Sequence, residues 1–190
     1  MQTTDQRRAS FSTFAESTAD DWRIIEEYFP ENQSLATANL IAQMRMLGRD
    51  HGGFPVSRLE HSLQTATLAE QGGESDEYVL CALLHDVGDT LSPGQFHPDI
   101  AAAIVAPVVS EAHAWMVAKH GVFQGYYFWH HVGLDRDARE KYRDSPHFDL
   151  TAEFCERYDQ RAFDATFVSN PLDHYLPLIE QFFGAPASQP

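Results

Sequence analysis

The sequence predicts an all-α fold, and three observations carry that expectation. Apolar residues recur at intervals of three and four along most of the chain. No stretch of useful length alternates apolar with polar residues as a half-buried strand does. Helix-starting residues and glycine or proline stops punctuate the apolar periods.

The elements follow in order. Residues 1–16 are expected to be loosely ordered. Trp22, Ile25 and Phe29 recur at helical spacing behind Thr18, Asp20 and Asp21, which suit a helix start. Leu35, Ala38, Ile41 and Met44 mark a second helix, and residues 50–55, with Gly52 and Gly53, a flexible connection. A third helix is predicted over 57–71, stopping at Gly72-Gly73, and a fourth over 76–87, stopping at Gly88. Pro98 suits the first turn of the next, which continues through Ala101 and Ile104. Ser110 and Glu111 open a helix that carries His120; the aromatic stretch 122–131 is expected to prolong it past a kink near Gly121. Residues 137–142 and 150–163 read as two more. Asn170-Pro171 opens the last, with Tyr175, Leu176, Ile179 and Phe183 on one face. With no repeat and no linker, residues 1–190 are expected to form a single domain.

Composition narrows the function. The chain has 190 residues, 43% of them hydrophobic, and a formal charge of −15 from 28 acidic and 13 basic residues. Nucleic acid and anionic membranes are disfavoured as partners, because their phosphates need a basic face. The plainer meaning of the charge is a soluble surface. Only Cys81 and Cys155 are present, too few for an all-cysteine zinc site; Cys81 sits in an apolar run and is expected in the core. The N-terminus (Gln6, Arg7, Arg8, Ser10) has no apolar signal core, and the longest apolar run, 100–109, is too short to span a bilayer. A cytoplasmic location is expected.

Six side chains of metal-binding type lie along the chain: His61, the adjacent pair His85-Asp86, His97, His120 and Asp159. One divalent ion needs about four protein ligands. Four imidazoles and two carboxylates, one of them bridging, suit two neighbouring ions. A lone histidine on a helix is more often a surface or hydrogen-bonded residue, and this chain has ten. The informative element is Leu83-Leu84-His85-Asp86-Val87-Gly88, where two strongly polar residues follow a buried apolar run. An unpaired buried aspartate is costly, and a cation is its simplest partner.

Glu60-His61-Ser62, followed one helix later by His85-Asp86-Val87-Gly88, resembles the HD-domain superfamily, an all-α helical bundle. The resemblance implies that His61, His85, Asp86 and Asp159 hold one metal, with Asp164 the fallback for Asp159. Through His97 and His120 it extends to the dinuclear variants, in which Asp86 would bridge to a second ion held by Asp86, His97 and His120. Such relatives either hydrolyse phosphoesters or, like myo-inositol oxygenase and the hydroxyphosphonate oxygenases, use a mixed-valent di-iron pair and O2 to cleave a C–C or C–P bond. Three features favour the oxygenases. Glu60-His61-Ser62-Leu63-Gln64 resembles the segment around their first ligand. The lysine that cyclic-dinucleotide phosphodiesterases place three residues after the dyad is Asp89 here, an acid that would repel a phosphate ester. Their Gly-Tyr-Pro signature is absent.

The resemblance then implies two iron ions, Fe(II)/Fe(III), with O2 as cosubstrate and a small hydroxyphosphonate as substrate. Within the family the chain resembles the oxygenases acting on (R)-1-hydroxy-2-(trimethylammonio)ethylphosphonate, which implies glycine betaine and phosphate as products; a partner hydroxylase would act earlier in the same pathway. Gln124, Tyr127 and His131 follow His120 at four, seven and eleven residues, so a continuous helix would put them on one face towards substrate. Tyr126, Phe128 and Trp129 are read as core. Phe54 and Asp89 suit a quaternary ammonium, which aromatic faces and acids recognise; Arg136 and Arg139 suit a phosphonate, although exposed helix cations are more often merely solvated. His51 and Phe54 stand where the primary-amine relative has Tyr and Glu, which disfavours a primary amine, and Gln124 replaces that relative's phosphonate-binding lysine. Two other readings stand beside this one: a dinuclear phosphohydrolase acting on a nucleotide or small phosphate ester, and a ligand sensor without turnover.

Overall fold

The computed structural model describes residues 7–49, 51–92 and 96–184, apart from the side chain of Gln33. Eight α-helices account for the architecture, with no strand among the described residues. They are α1 (Ala19–Glu26), α2 (Phe29–Met46), α3 (Arg58–Gln71), α4 (Asp76–Leu84), α5 (His97–Val105), α6 (Glu111–Phe128), α7 (Phe148–Arg157) and α8 (Leu172–Phe183). None is long and apolar enough to cross a membrane.

Local chemistry starts most of these helices where expected. Ser57, Ser75 and Ser110 each accept a hydrogen bond from the third backbone N–H of α3, α4 and α6. Thr18 and Asp21 form a reciprocal capping box on α1. Pro30 and Pro98 sit in the first turns of α2 and α5, where a missing N–H costs nothing.

The centre is α4, in which every residue from Tyr78 to Leu84 is buried, Cys81 included. α3 packs on α4, while α5, α6 and α7 follow as successive neighbours and α8 closes against α2. Both cysteines are free and buried.

Several expectations are corrected. The described part of the N-terminal segment is held in place: Phe11 and Phe14 stack near Trp22, and Ser10 donates to Asp21. Gln6 and Asp50 lie outside the described residues. Trp22 stays 42% exposed and meets the N-terminal segment rather than the core, and Phe29, equally exposed, opens α2 instead of continuing the first helix. On α2 the buried face is Thr37, Leu40, Met44 and then Leu47, while Leu35 is exposed. The fourth helix stops three residues early, at Leu84, and residues 138–142 form a 3₁₀ turn. α7 breaks at Tyr158 before a 3₁₀ turn over Asp159–Arg161. α6 runs through Gly121 and Gly125 as one helix but ends at Phe128.

Candidate metal centre

Five separate elements deliver the six predicted donors. His61 lies in the first turns of α3, His85 caps the C-terminus of α4 and Asp86 follows it. His97 is the first residue of α5, His120 lies inside α6, and Asp159 opens the turn after α7. All are buried except His97, whose side chain is 20% exposed.

The donors fall into two sets that share Asp86. In one, His61 Nε2 is 3.1 Å from His85 Nε2, 3.2 Å from Asp159 Oδ1 and 3.5 Å from Asp86 Oδ2. His85 Nε2 is 3.6 Å from Asp86 Oδ2 and 3.7 Å from Asp159 Oδ1. In the other, Asp86 Oδ1 lies 3.2 Å from both His97 Nε2 and His120 Nε2, which are 3.3 Å apart. Ligand bonds of about 2.1 Å at ordinary coordination angles separate donors by about 3.0–3.5 Å. The two sets therefore fit the coordination shells of two ions, with one carboxylate oxygen of Asp86 facing each.

The tautomers agree. His61, His85 and His120 direct Nδ1 at the carbonyls of Ala162, Ala82 and Val117, at 3.0, 2.7 and 2.7 Å. Donating there requires the hydrogen on Nδ1 and leaves a lone pair on Nε2. Two such lone pairs facing each other across 3.1 Å repel unless a proton or a cation lies between them. Asp159 adds a second sign: its Oδ2 is buried without a hydrogen-bond partner, while Gln124 donates to Oδ1 at 2.7 Å. Buried acceptors are rarely left so.

Electrostatics point the same way. Burial opposes the charge on Asp86, yet His85 and hydrogen bonds from His120 and His97 hold its carboxyl well below the usual range. Burial pushes His85 down to about 4, only partly offset by Asp86 and Asp159. For His61 and His120 burial also acts downwards but is outweighed, by Asp159 and Asp86 respectively, so both lie above the ordinary value. A strongly acidic centre crowded with imidazole nitrogens holds protons on some of them when no cation is bound.

The surrounding residues were only partly anticipated. Asp164, the fallback ligand, is exposed, and its side chain turns to Thr166. Asp89 is engaged by Arg58, with Nε 2.6 Å from Oδ2. It is thus neither a free partner for an ammonium group nor the uncompensated acid expected to repel a phosphate ester. Phe54 is 41% exposed; it carries the Arg58 guanidinium at 4.0 Å and stacks on Phe163, which stacks on His61 at 4.3 Å. His51 and Phe54 line an open cleft of about 670 Å³. Tyr127 is half-buried, and Arg139 both interacts with its hydroxyl and lies over the Tyr126 ring at 3.7 Å. His131 falls beyond the end of α6, exposed in a 3₁₀ turn with its ring 3.9 Å from that of His130. It does not share the face of His120. Phe128 is exposed, and Tyr126 is sandwiched with Arg136 and Arg139 rather than packed in the core.

Three contributors were missed. Gln64 clamps the loop after Asp159, donating to the Asp164 carbonyl and accepting from its N–H. Phe163 covers His61, and Arg58 pairs with Asp89. Spacing holds a signal for the last: Arg58 stands one helical turn before His61, and Asp89 three residues after Asp86.

Comparison with known proteins bears on this geometry. Residues 58–159 match the HD domain family, a span that runs from the start of α3 to Asp159. Over 48 residues the chain is 50% identical to 1-hydroxy-2-(trimethylamino)ethylphosphonate dioxygenase (glycine-betaine-forming) of Leisingera caerulea. That stretch covers 25% of this chain and 24% of the relative.

Proposed function

The chain belongs to the HD-domain family, and from that premise we propose that it is a dinuclear oxygenase of hydroxylated organophosphonates. The observation that carries the proposal is Asp86, whose two oxygens face two separate histidine sets. His61, His85, Asp86 and Asp159 would hold one ion, and Asp86, His97 and His120 the other. A histidine and carboxylate donor set suits iron. When bound, an Fe(II)/Fe(III) pair supplies O2 activation and a Lewis acid for the substrate's hydroxyl and phosphonate oxygens.

The relative's chemistry points to (R)-1-hydroxy-2-(trimethylammonio)ethylphosphonate as substrate. One O2 accepts four electrons from the hydroxyl-bearing carbon and its C–P bond, so glycine betaine and phosphate balance the equation without a further reductant. The chain's own residues position and shield. Gln124 holds Asp159 in place, Phe163 covers His61, and Gln64 fixes the loop between them. Arg139, beside Tyr127, is the cation we assign to the phosphonate; the Phe54 ring, expected to take the trimethylammonium, already carries the Arg58 guanidinium.

A second reading, a metal-dependent phosphohydrolase, draws on the Arg58–Asp89 pair, which removes the electrostatic objection to a phosphate ester. Oxygen separates the two. Iron-loaded protein should release phosphate from the hydroxyphosphonate only with O2 present. Release from a simple phosphate ester under anaerobic conditions would sink the oxygenase reading.

A further inference from the structure

We propose that Arg58 and Asp89 form a positioning relay for His97, fixing its imidazole towards the second donor set. The proposal rests on the reading that Asp86, His97 and His120 hold one of two ions.

His61, His85 and His120 have their outer ring nitrogens fixed by backbone carbonyls at 2.7–3.0 Å. His97 differs. It stands at the N-terminal end of α5, is the most exposed of the four, and has the Asp89 carboxylate as the neighbour of its Nδ1, with Oδ1 at 3.6 Å. That distance is an ion-pair contact, longer than a formed hydrogen bond. Its orientation therefore depends on a side chain, and on whatever holds that side chain.

Asp89 is held from two sides. Its backbone N–H donates to the carbonyl of Asp86, the shared donor, at 2.9 Å. Its other carboxylate oxygen is 2.6 Å from Arg58 Nε. Arg58 in turn lies on the Phe54 ring and stands one turn before His61 on α3. The pair is mostly removed from water, with side chains 25% and 16% exposed. Placing an acid this close to Asp86 is unfavourable, since like charges repel in a half-buried site. Arg58 offsets that repulsion. A carboxylate on the outer nitrogen of a ligating histidine fixes the tautomer and makes the inner nitrogen a better donor. The relay thus links α3, which carries a ligand of the first set, to α5, which carries one of the second.

The test uses full-length apoprotein titrated with Co(II), followed by visible absorption and calorimetry, for the wild type, Asp89→Asn, Arg58→Gln and Arg58→Lys. Wild-type protein is expected to take up two ions. Asp89→Asn should weaken one of them by about 10–100-fold and leave the other unchanged. Arg58→Gln should act in the same direction, and Arg58→Lys, which keeps the charge, should recover most of the loss. Two wild-type affinities in Asp89→Asn would overturn the relay, as would equal weakening of both sites with a lowered apoprotein melting temperature. Fewer than two ions on the wild type would overturn the underlying dinuclear reading instead.

Discussion

Removing one imidazole separates the two donor sets, because His97 and His120 approach only Asp86 Oδ1 while His61 and His85 approach Oδ2. His120→Ala should therefore lower metal content from two ions per chain to one and abolish turnover, as read by elemental analysis and phosphate release. Two ions with full turnover would refute the assignment. The pair His85-Asp86 was legible in sequence for a physical reason, since it ends an apolar run, where a charge without a partner is expensive; the other four candidates rested on the family resemblance. Gln64 and Phe163 were not legible as site residues. Their roles arise from contacts about a hundred residues apart in the chain, which no local pattern encodes. His131 was over-read for the opposite reason, because helical spacing was extended past the point where α6 stops.

Helices and the junctions between them carry two further expectations. A Cβ on Gly88 would come within 2.6 Å of the His97 carbonyl oxygen and 2.8 Å of Ile100 Cβ. This close approach seats the turn after Asp86 against the start of α5. Gly88→Ala should destabilise by about 1–3 kcal/mol and weaken the ion at His97 preferentially, measurable by denaturant unfolding alongside metal titration. Unchanged stability and affinity would mean that the turn is not pinned there. Ser75→Ala, by contrast, removes the cap of α4 far from the donors. It should cost about 1 kcal/mol in the same unfolding experiment with metal content intact; a loss of metal would contradict that separation. Caps of this kind made α3, α4 and α6 readable, since Ser57, Ser75 and Ser110 act within one turn. The faces of α1 and α2 were misread because their neighbours, the N-terminal segment and α8, are set by tertiary packing.

On the proposed ligand assignment, protons and metal ions compete for the same nitrogens, which gives stability a defined dependence on pH. In the apoprotein His61 and His120 lie above the ordinary imidazole value of 6.5. Their contribution to stability is fully present below that value and is lost as pH rises through the raised one. Bound cations replace those protons and so contribute more as pH climbs. The difference in melting temperature between metal-loaded and chelator-treated protein should widen from about pH 6 to about pH 8, and metal uptake near neutrality should release protons. A gap that narrows over that range would contradict the donor assignment.

The wide sequence separation of the donors also governs how the protein comes into being. On a growing chain, His61, His85 and Asp86 are completed while Asp159 is still to be made. α3 and α4 pack directly on each other, so this pair can assemble locally. Intrinsic affinity at such donors follows the Irving–Williams order, which ranks zinc above Fe(II), so the ion that enters three donors with a vacant position depends on supply as well. The late carboxylate then closes over that choice. On the reading that two ions are held, protein made in zinc-rich, iron-poor culture should carry zinc and exchange its first ion far more slowly than its second.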